Sequence, residues 1–204
     1  MKRKSTQNVL LRAAREGCFF TRLSFLVMGA GCIRCRQYAR GLLYLLTQIG
    51  FFFFFRDFAL QYLRKFGTLG TETQRKVWNE TLQIYQRFPG DNSMLILLYS
   101  VLSLAVTALF LYLWYANIRD AWNGQKCLAQ GKPVSSLRND LHSLTHERFH
   151  VTLLSMPMLT LVLFTLLPIL FMILIAFTNF DADHQPPGNL FTWVGLTNVT
   201  DIFL

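Results

Sequence analysis

Charge is missing from two long stretches of this 204-residue chain: Met94 to Tyr115 and Val151 to Phe180 contain no Asp, Glu, Lys or Arg. A soluble core distributes its apolar residues at helix or strand period, so uncharged blocks of this length exclude an ordinary soluble domain. Acid is nearly absent from the first 40 residues, where Glu16 alone faces nine Lys and Arg, and base is absent after Phe180. No glycine-rich phosphate loop or Walker lysine occurs, which excludes nucleotide hydrolysis by that route. Cysteine is sparse, at four residues with a single CxxC pair, Cys32 and Cys35. A zinc ribbon needs a second pair, and a redox role needs a thioredoxin-like setting that the sequence lacks. The thiols read as free, and no metal ligand, substrate-binding residue, catalytic residue or cofactor is expected.

What is present is hydrocarbon-compatible sequence. The Met94–Tyr115 block holds twelve Leu, Ile, Val or Phe. These favour insertion by about 4 to 7 kcal/mol, at about 0.3 to 0.6 kcal/mol each near mid-membrane. A third span begins near Tyr38 and takes in Leu42 to Leu46 and the five phenylalanines Phe51 to Phe55. Its uncharged core is too short to cross alone, so it must extend to about Leu63, with Arg56 and Asp57 snorkelling toward the headgroups. The expectation is an all-α integral membrane protein with about three transmembrane helices, short amphipathic or interfacial helices, and a cytoplasmic N-terminus.

The expected layout runs as follows. Residues 1–37 form a basic cytoplasmic or interfacial segment, 38–63 the first span, and 64–93 an extracellular loop with an amphipathic helix over Glu72 to Phe88. Residues 94–115 form the second span, 116–150 a cytoplasmic loop, 151–178 the third span and 179–204 an extracellular tail. Pro157 and Pro168 should kink the third span, because each removes a backbone donor. Orientation follows from the ends: the nine basic residues of the N-terminal segment stay inside and the base-free tail lies outside. Clustered beside a span, these cations read as a retention signal and a contact for anionic headgroups, so lipid and not nucleic acid is the expected partner. Phe19 to Ala30 behind them reads as an interfacial helix with Arg22 at the headgroups, and residues 19–33 could also enter the bilayer.

One local pattern suggests chemistry. His146-Glu147-Arg148-Phe149-His150 is a formal HExxH, which on a helix could hold zinc between two imidazoles while Glu147 activates water. A third ligand is hard to find. Asp181, Asp183 and Asp201 fall across the membrane, and His142 lies on the same straight helix, where three side chains cannot easily converge on one ion. The favoured reading is a juxtamembrane turn in which Arg148 anchors the third span, leaving a membrane metalloprotease or a small membrane interaction protein as rivals.

Leu167-Pro168-Ile169-Leu170, Ile175 to Phe180, His184 to Gly188 and Phe191 to Leu196 together resemble the MalF-type permease of maltose/maltodextrin ABC importers, in its Gram-positive form. Thr21 to Leu26, Met28 to Gly31, Arg40 to Leu46, Asp91-Asn92-Ser93 and Glu147 to Leu154 extend that resemblance over nearly the whole chain after about residue 20. It implies a non-enzymatic, multi-pass protein of the bacterial cell membrane, working with a second permease subunit, cytoplasmic ATPase subunits and an extracellular sugar-binding lipoprotein. The family's ATPase-docking loop and sugar-contacting positions have no counterpart here. The chain is therefore expected to be the N-terminal portion of a permease, a fragment or an interrupted gene, that inserts but does not transport alone.

Overall fold

Among the described residues, three helices are long and apolar enough to cross a membrane: Tyr38–Lys65, Ser93–Ala129 and Phe149–Ile175. A backbone in hydrocarbon must satisfy every N–H and C=O internally, which leaves a lone apolar segment the helix as its only solution. The computed structural model describes residues 9–131, 134, 142, 146 and 149–203. At 28 and 27 residues, the first and third helices reach about 40 Å, somewhat more than the hydrocarbon thickness of about 30 Å. The second, at 37 residues, reaches about 55 Å and must project beyond the membrane. The first two helices overlap the stretches 38–63 and 94–115, and the third overlaps 151–178.

The second helix corrects the expected loop at 116–150, because its regular structure continues from Tyr115 to Ala129. The continuation has its own reason to persist. Asn117, Ile118, Ala121 and Trp122 are buried along it, so packing sustains the helix where the apolar block has ended.

A second correction falls on Glu72 to Phe88, expected as an amphipathic helix. The structure has an antiparallel hairpin of β1 (Arg75–Asn79) and β2 (Ile84–Phe88), with Trp78 opposite Tyr85 and Asn79 opposite Ile84. The aromatic and β-branched residues Val77, Trp78, Ile84 and Tyr85 favour a pleated strand. Asn79 closes the turn, its Oδ1 accepting the Thr81 and Leu82 N–H groups at 3.0 and 3.2 Å, the local side-chain bond that makes Asn a turn former. Helical spacing of four apolar residues was the weaker signal.

The prolines of the third helix are accommodated inside continuous helix. Pro157 lies within Phe149–Leu161, and Pro168 follows a π-helical turn at Val162–Leu166. A wide turn spares the chain a clash between the Pro168 ring and the preceding carbonyls. A second π turn, Phe55–Ala59, lies in the first helix and contains Arg56 and Asp57.

The described chain forms two units, with boundaries inside the long helices. The unit of residues 1–54 and 106–157 contains three short helices, α1 (Val9–Glu16), α2 (Phe19–Leu23) and α3 (Ala30–Arg34). Its apolar core is Ala13, Ile118 and Trp122, with Phe25 and Trp114 against them. The unit of residues 55–105 and 158–204 is centred on Leu69, Ile96, Leu97 and Phe191. There the Trp193 indole donates to the Phe66 carbonyl at 2.8 Å. A single bridge pairs Thr178 with Trp193, turning the segment after the third helix back on itself. Asn198 Nδ2 donates to the Ala176 and Thr178 carbonyls, satisfying acceptors that the end of that helix leaves open.

Candidate functional site

The N-terminal segment does not form one interfacial helix over Phe19 to Ala30. Between α2 and α3 the backbone leaves regular structure, and its polar groups are taken up by side chains from the first and second long helices. Gln48 accepts the Met28 N–H at 2.8 Å and donates to the Leu26 carbonyl at 2.8 Å. Asn117, fully buried, accepts the Gly29 N–H at 2.8 Å and donates to the Ser24 carbonyl at 3.0 Å. The Trp114 indole donates to the Phe25 carbonyl, and Ser24 Oγ accepts the Gly31 N–H at 2.7 Å. Irregular backbone near hydrocarbon persists only where protein supplies such partners. Each amide serves one donor and one acceptor, so two helix residues stand in for a missing helical turn.

Small residues make the approach possible. Gly29 has φ +89°, and a Cβ there would lie 2.1 Å from the Gly41 carbonyl oxygen. Gly31 sits against Ala121, and Gly124 against the Cys35 sulfur. Close backbone approach through small residues is how helices associate where lipid removes the hydrophobic driving force. At the start of α2, Gln125 Oε1 accepts from the Cys18 N–H at 2.9 Å and from the Thr21 hydroxyl at 2.7 Å.

One ionic group ties the first helix to the second in this unit. The Tyr44 hydroxyl donates to Asp120 at 2.9 Å, and Arg40 and Arg119 lie 3.9 Å from the same carboxylate. A cavity of about 320 Å³ opens beside Asp120, lined also by Gln37, Arg40, Asn123 and Cys127. In the other unit, Asp91 pairs with Lys65 and accepts the Thr71 and Glu72 N–H groups. Burial raises the Asp91 carboxyl, but these donors outweigh it and hold the group below the ordinary carboxylate value.

The two motifs singled out in the sequence lie apart from the amide network's donors and acceptors. Cys32 and Cys35 are buried free thiols. Burial, then the Asp120 charge, pushes Cys32 up to about 12, and burial also raises Cys35. A thiol so held is protonated and neither nucleophile nor ready metal ligand. In the HExxH pattern, Glu147 and Arg148 lie outside the described residues. The His142 and His146 rings stack with centroids 4.1 Å apart, and His150 is exposed in the first turn of the third helix. The residues the sequence reading missed are Gln48, Asn117 and Gln125. Only part of that signal lay in the sequence: Gln48 is an uncharged amide inside an apolar span and needs a partner there, but nothing in the sequence says which backbone supplies it.

With three membrane-length helices, the protein is a multi-pass helical membrane protein. Over 178 residues, 87% of its length, it is 30% identical to GanP, the galactooligosaccharides transport system permease protein of Bacillus subtilis. It is 30% identical over 179 residues to the maltodextrin transport system permease protein MalC of Streptococcus pneumoniae, and 29% over 180 to MdxF of Bacillus subtilis, a maltodextrin transport system permease protein. The chain is thus similar over most of its own length to permease proteins of galactooligosaccharide and maltodextrin transport systems. It spans under two-fifths of the length of these relatives, 39% of GanP and 38% of MalC. No family model matches the chain, and no solved structure matches it.

Proposed function

We propose that the chain forms part of the membrane permease of a bacterial sugar ABC importer, passing an oligosaccharide of the maltodextrin or galactooligosaccharide class. The observation that carries this reading is the 30% identity sustained over 87% of the chain with two differently named sugar permeases. The maltodextrin assignment leans on MalC and MdxF, and GanP keeps the galactooligosaccharide open. As in such importers, the partners would be a second permease subunit, cytoplasmic ATPases and an extracellular sugar-binding lipoprotein. The third helix supports a role inside a larger assembly, since none of its most apolar window is buried within the chain. A helix apolar all round must meet lipid or other membrane helices. These relatives are transport permeases, which favours a non-enzymatic role over the zinc-protease reading.

The proposed topology places residues 1–37 in the cytoplasm, 64–93 and 179–204 outside, and 116–150 inside, with the second helix continuing into that last region. Support comes from the nine basic residues of the first 40 and the sequence free of Lys and Arg after Phe180.

Deleting the gene in its own host and following uptake of labelled maltodextrin and galactooligosaccharide tests the function. Loss of uptake of one of them, restored by the intact gene, is the expected result; unchanged uptake of both overturns the proposal. Topology is read by introducing Ser5→Cys and Leu190→Cys singly into a cysteine-free chain. An impermeant thiol reagent should reach only position 190 in intact cells.

A further inference from the structure

The β1–β2 hairpin has no partner for either face among the described residues. Lys76 stands directly opposite Arg87, and Trp78 directly opposite Tyr85. Side chains alternate along a strand, and cross-strand partners share a face, so these four residues occupy one side of the ribbon. Like charges set opposite each other destabilise an antiparallel pair. Neither Lys76 nor Arg87 makes an ion pair among the described residues, whereas Arg75, on the other side, has Glu72 at 3.6 Å and the Phe88 ring at 5.2 Å. Trp78 and Tyr85 pack edge to face at 4.9 Å between centroids, yet stay 48% and 69% exposed.

The location of this surface narrows what covers it. Nine residues separate Lys65, the end of the first membrane helix, from Arg75, and four separate Phe88 from Ser93, the start of the second. The ribbon is therefore tethered at both ends to the same side of a bilayer. Trp and Tyr concentrate at the headgroup level, where an apolar ring and a polar tip are both satisfied, and Lys and Arg there meet anionic headgroups. We propose that the Lys76–Trp78–Tyr85–Arg87 face is a binding surface for anionic phospholipid in the adjacent leaflet, a phosphate lying between the two cations and the aromatic pair seated among the headgroups. The cationic pair at matched register is the feature a neutral protein surface would not relieve. This proposal depends on the membrane helices and not on which solute the protein carries.

The test uses the full chain in nanodiscs of equal parts phosphatidylglycerol and phosphatidylcholine, with photoreactive benzoylphenylalanine placed at Tyr85. Illumination should give phospholipid adducts by mass spectrometry, with phosphatidylglycerol enriched several-fold over phosphatidylcholine. The double substitution Lys76→Gln with Arg87→Gln should abolish the enrichment, and the same probe at Gln86, on the opposite side, should give little lipid adduct. Absence of lipid adducts at Tyr85, or adducts without phosphatidylglycerol enrichment, overturns the proposal. So does crosslinking in cells that captures only protein at that position. Circular dichroism and thermal unfolding of each variant establish that a lost enrichment is not lost folding.

Discussion

Asn117 Oδ1 lies 2.8 Å from the Gly29 nitrogen, bringing a buried amide of the second long helix to a backbone that has no helical partner of its own. The same amide donates to the Ser24 carbonyl, so one side chain satisfies both polarities. Asn117→Leu would leave a donor and an acceptor buried and unmet, at about 1 to 3 kcal/mol each. Thermal unfolding of the detergent-solubilised protein, followed by tryptophan fluorescence, should show a clear fall in Tm. Asn117→Gln should recover part of it. Wild-type stability in Asn117→Leu would show that the amide is not holding the segment.

Gly29 and Gly50 both lie in the unit of residues 1–54 and 106–157, and an added methyl meets very different surroundings. At Gly29 it would fall 2.1 Å from a backbone oxygen at φ +89°, and at Gly50 nothing stands within 4 Å. Gly29→Ala should therefore yield a misfolded or protease-sensitive chain. Gly50→Ala should be tolerated, with a gain of up to about 1 kcal/mol from helix propensity. Limited proteolysis of membranes carrying each variant distinguishes them. Equal resistance would contradict the close approach of Gly29 to Gly41.

The three spans were legible because absence of charge over membrane length is a one-dimensional property that needs no knowledge of folding. The hairpin was not legible, since Val77, Trp78, Tyr85 and Phe88 satisfy helical spacing about as well as strand alternation; the turn bonds made by Asn79 decide between them. The amide network was hidden for another reason. Gln48 and Asn117 become meaningful only once the loop before Gly29 is known to lie against both helices, and that pairing crosses 20 and 88 positions in the chain. Charge and composition carry no record of such long-range bonds.

Asp91 makes the unit of residues 55–105 and 158–204 acid-sensitive. Its folded pKa is depressed, the donors from Lys65, Thr71 and Glu72 outweighing the effect of burial. A depressed carboxyl contributes stability that is present above its unfolded pKa, about 3.9, and is lost as pH falls through the folded value. Unfolding midpoints should therefore be flat in this respect from neutral pH to about 5 and decline below about 4. Asp91→Asn should lower stability at neutral pH and flatten the acid decline. An unchanged acid profile in that variant would assign the sensitivity to another carboxyl.

The four cysteines should separate by reactivity, because the fold gives them different surroundings. Cys18 is exposed, and although partial burial raises its thiol, hydrogen bonds from Thr21 and the Phe20 backbone and the charge of Arg34 bring it below the ordinary value. Cys32 is raised to about 12 and Cys35 is raised, chiefly by burial. Alkylation proceeds through the thiolate, so iodoacetamide at mildly alkaline pH should modify Cys18 well before either buried residue. Peptide mass spectrometry across a time course provides the readout, and denaturant should bring Cys32 and Cys35 to the rate of an ordinary thiol. Asn117→Leu should accelerate Cys32 without denaturant, because loosening the loop before α3 opens the packing around that sulfur. Early labelling of Cys32 in the intact protein would mean that the N-terminal segment does not rest against the second helix.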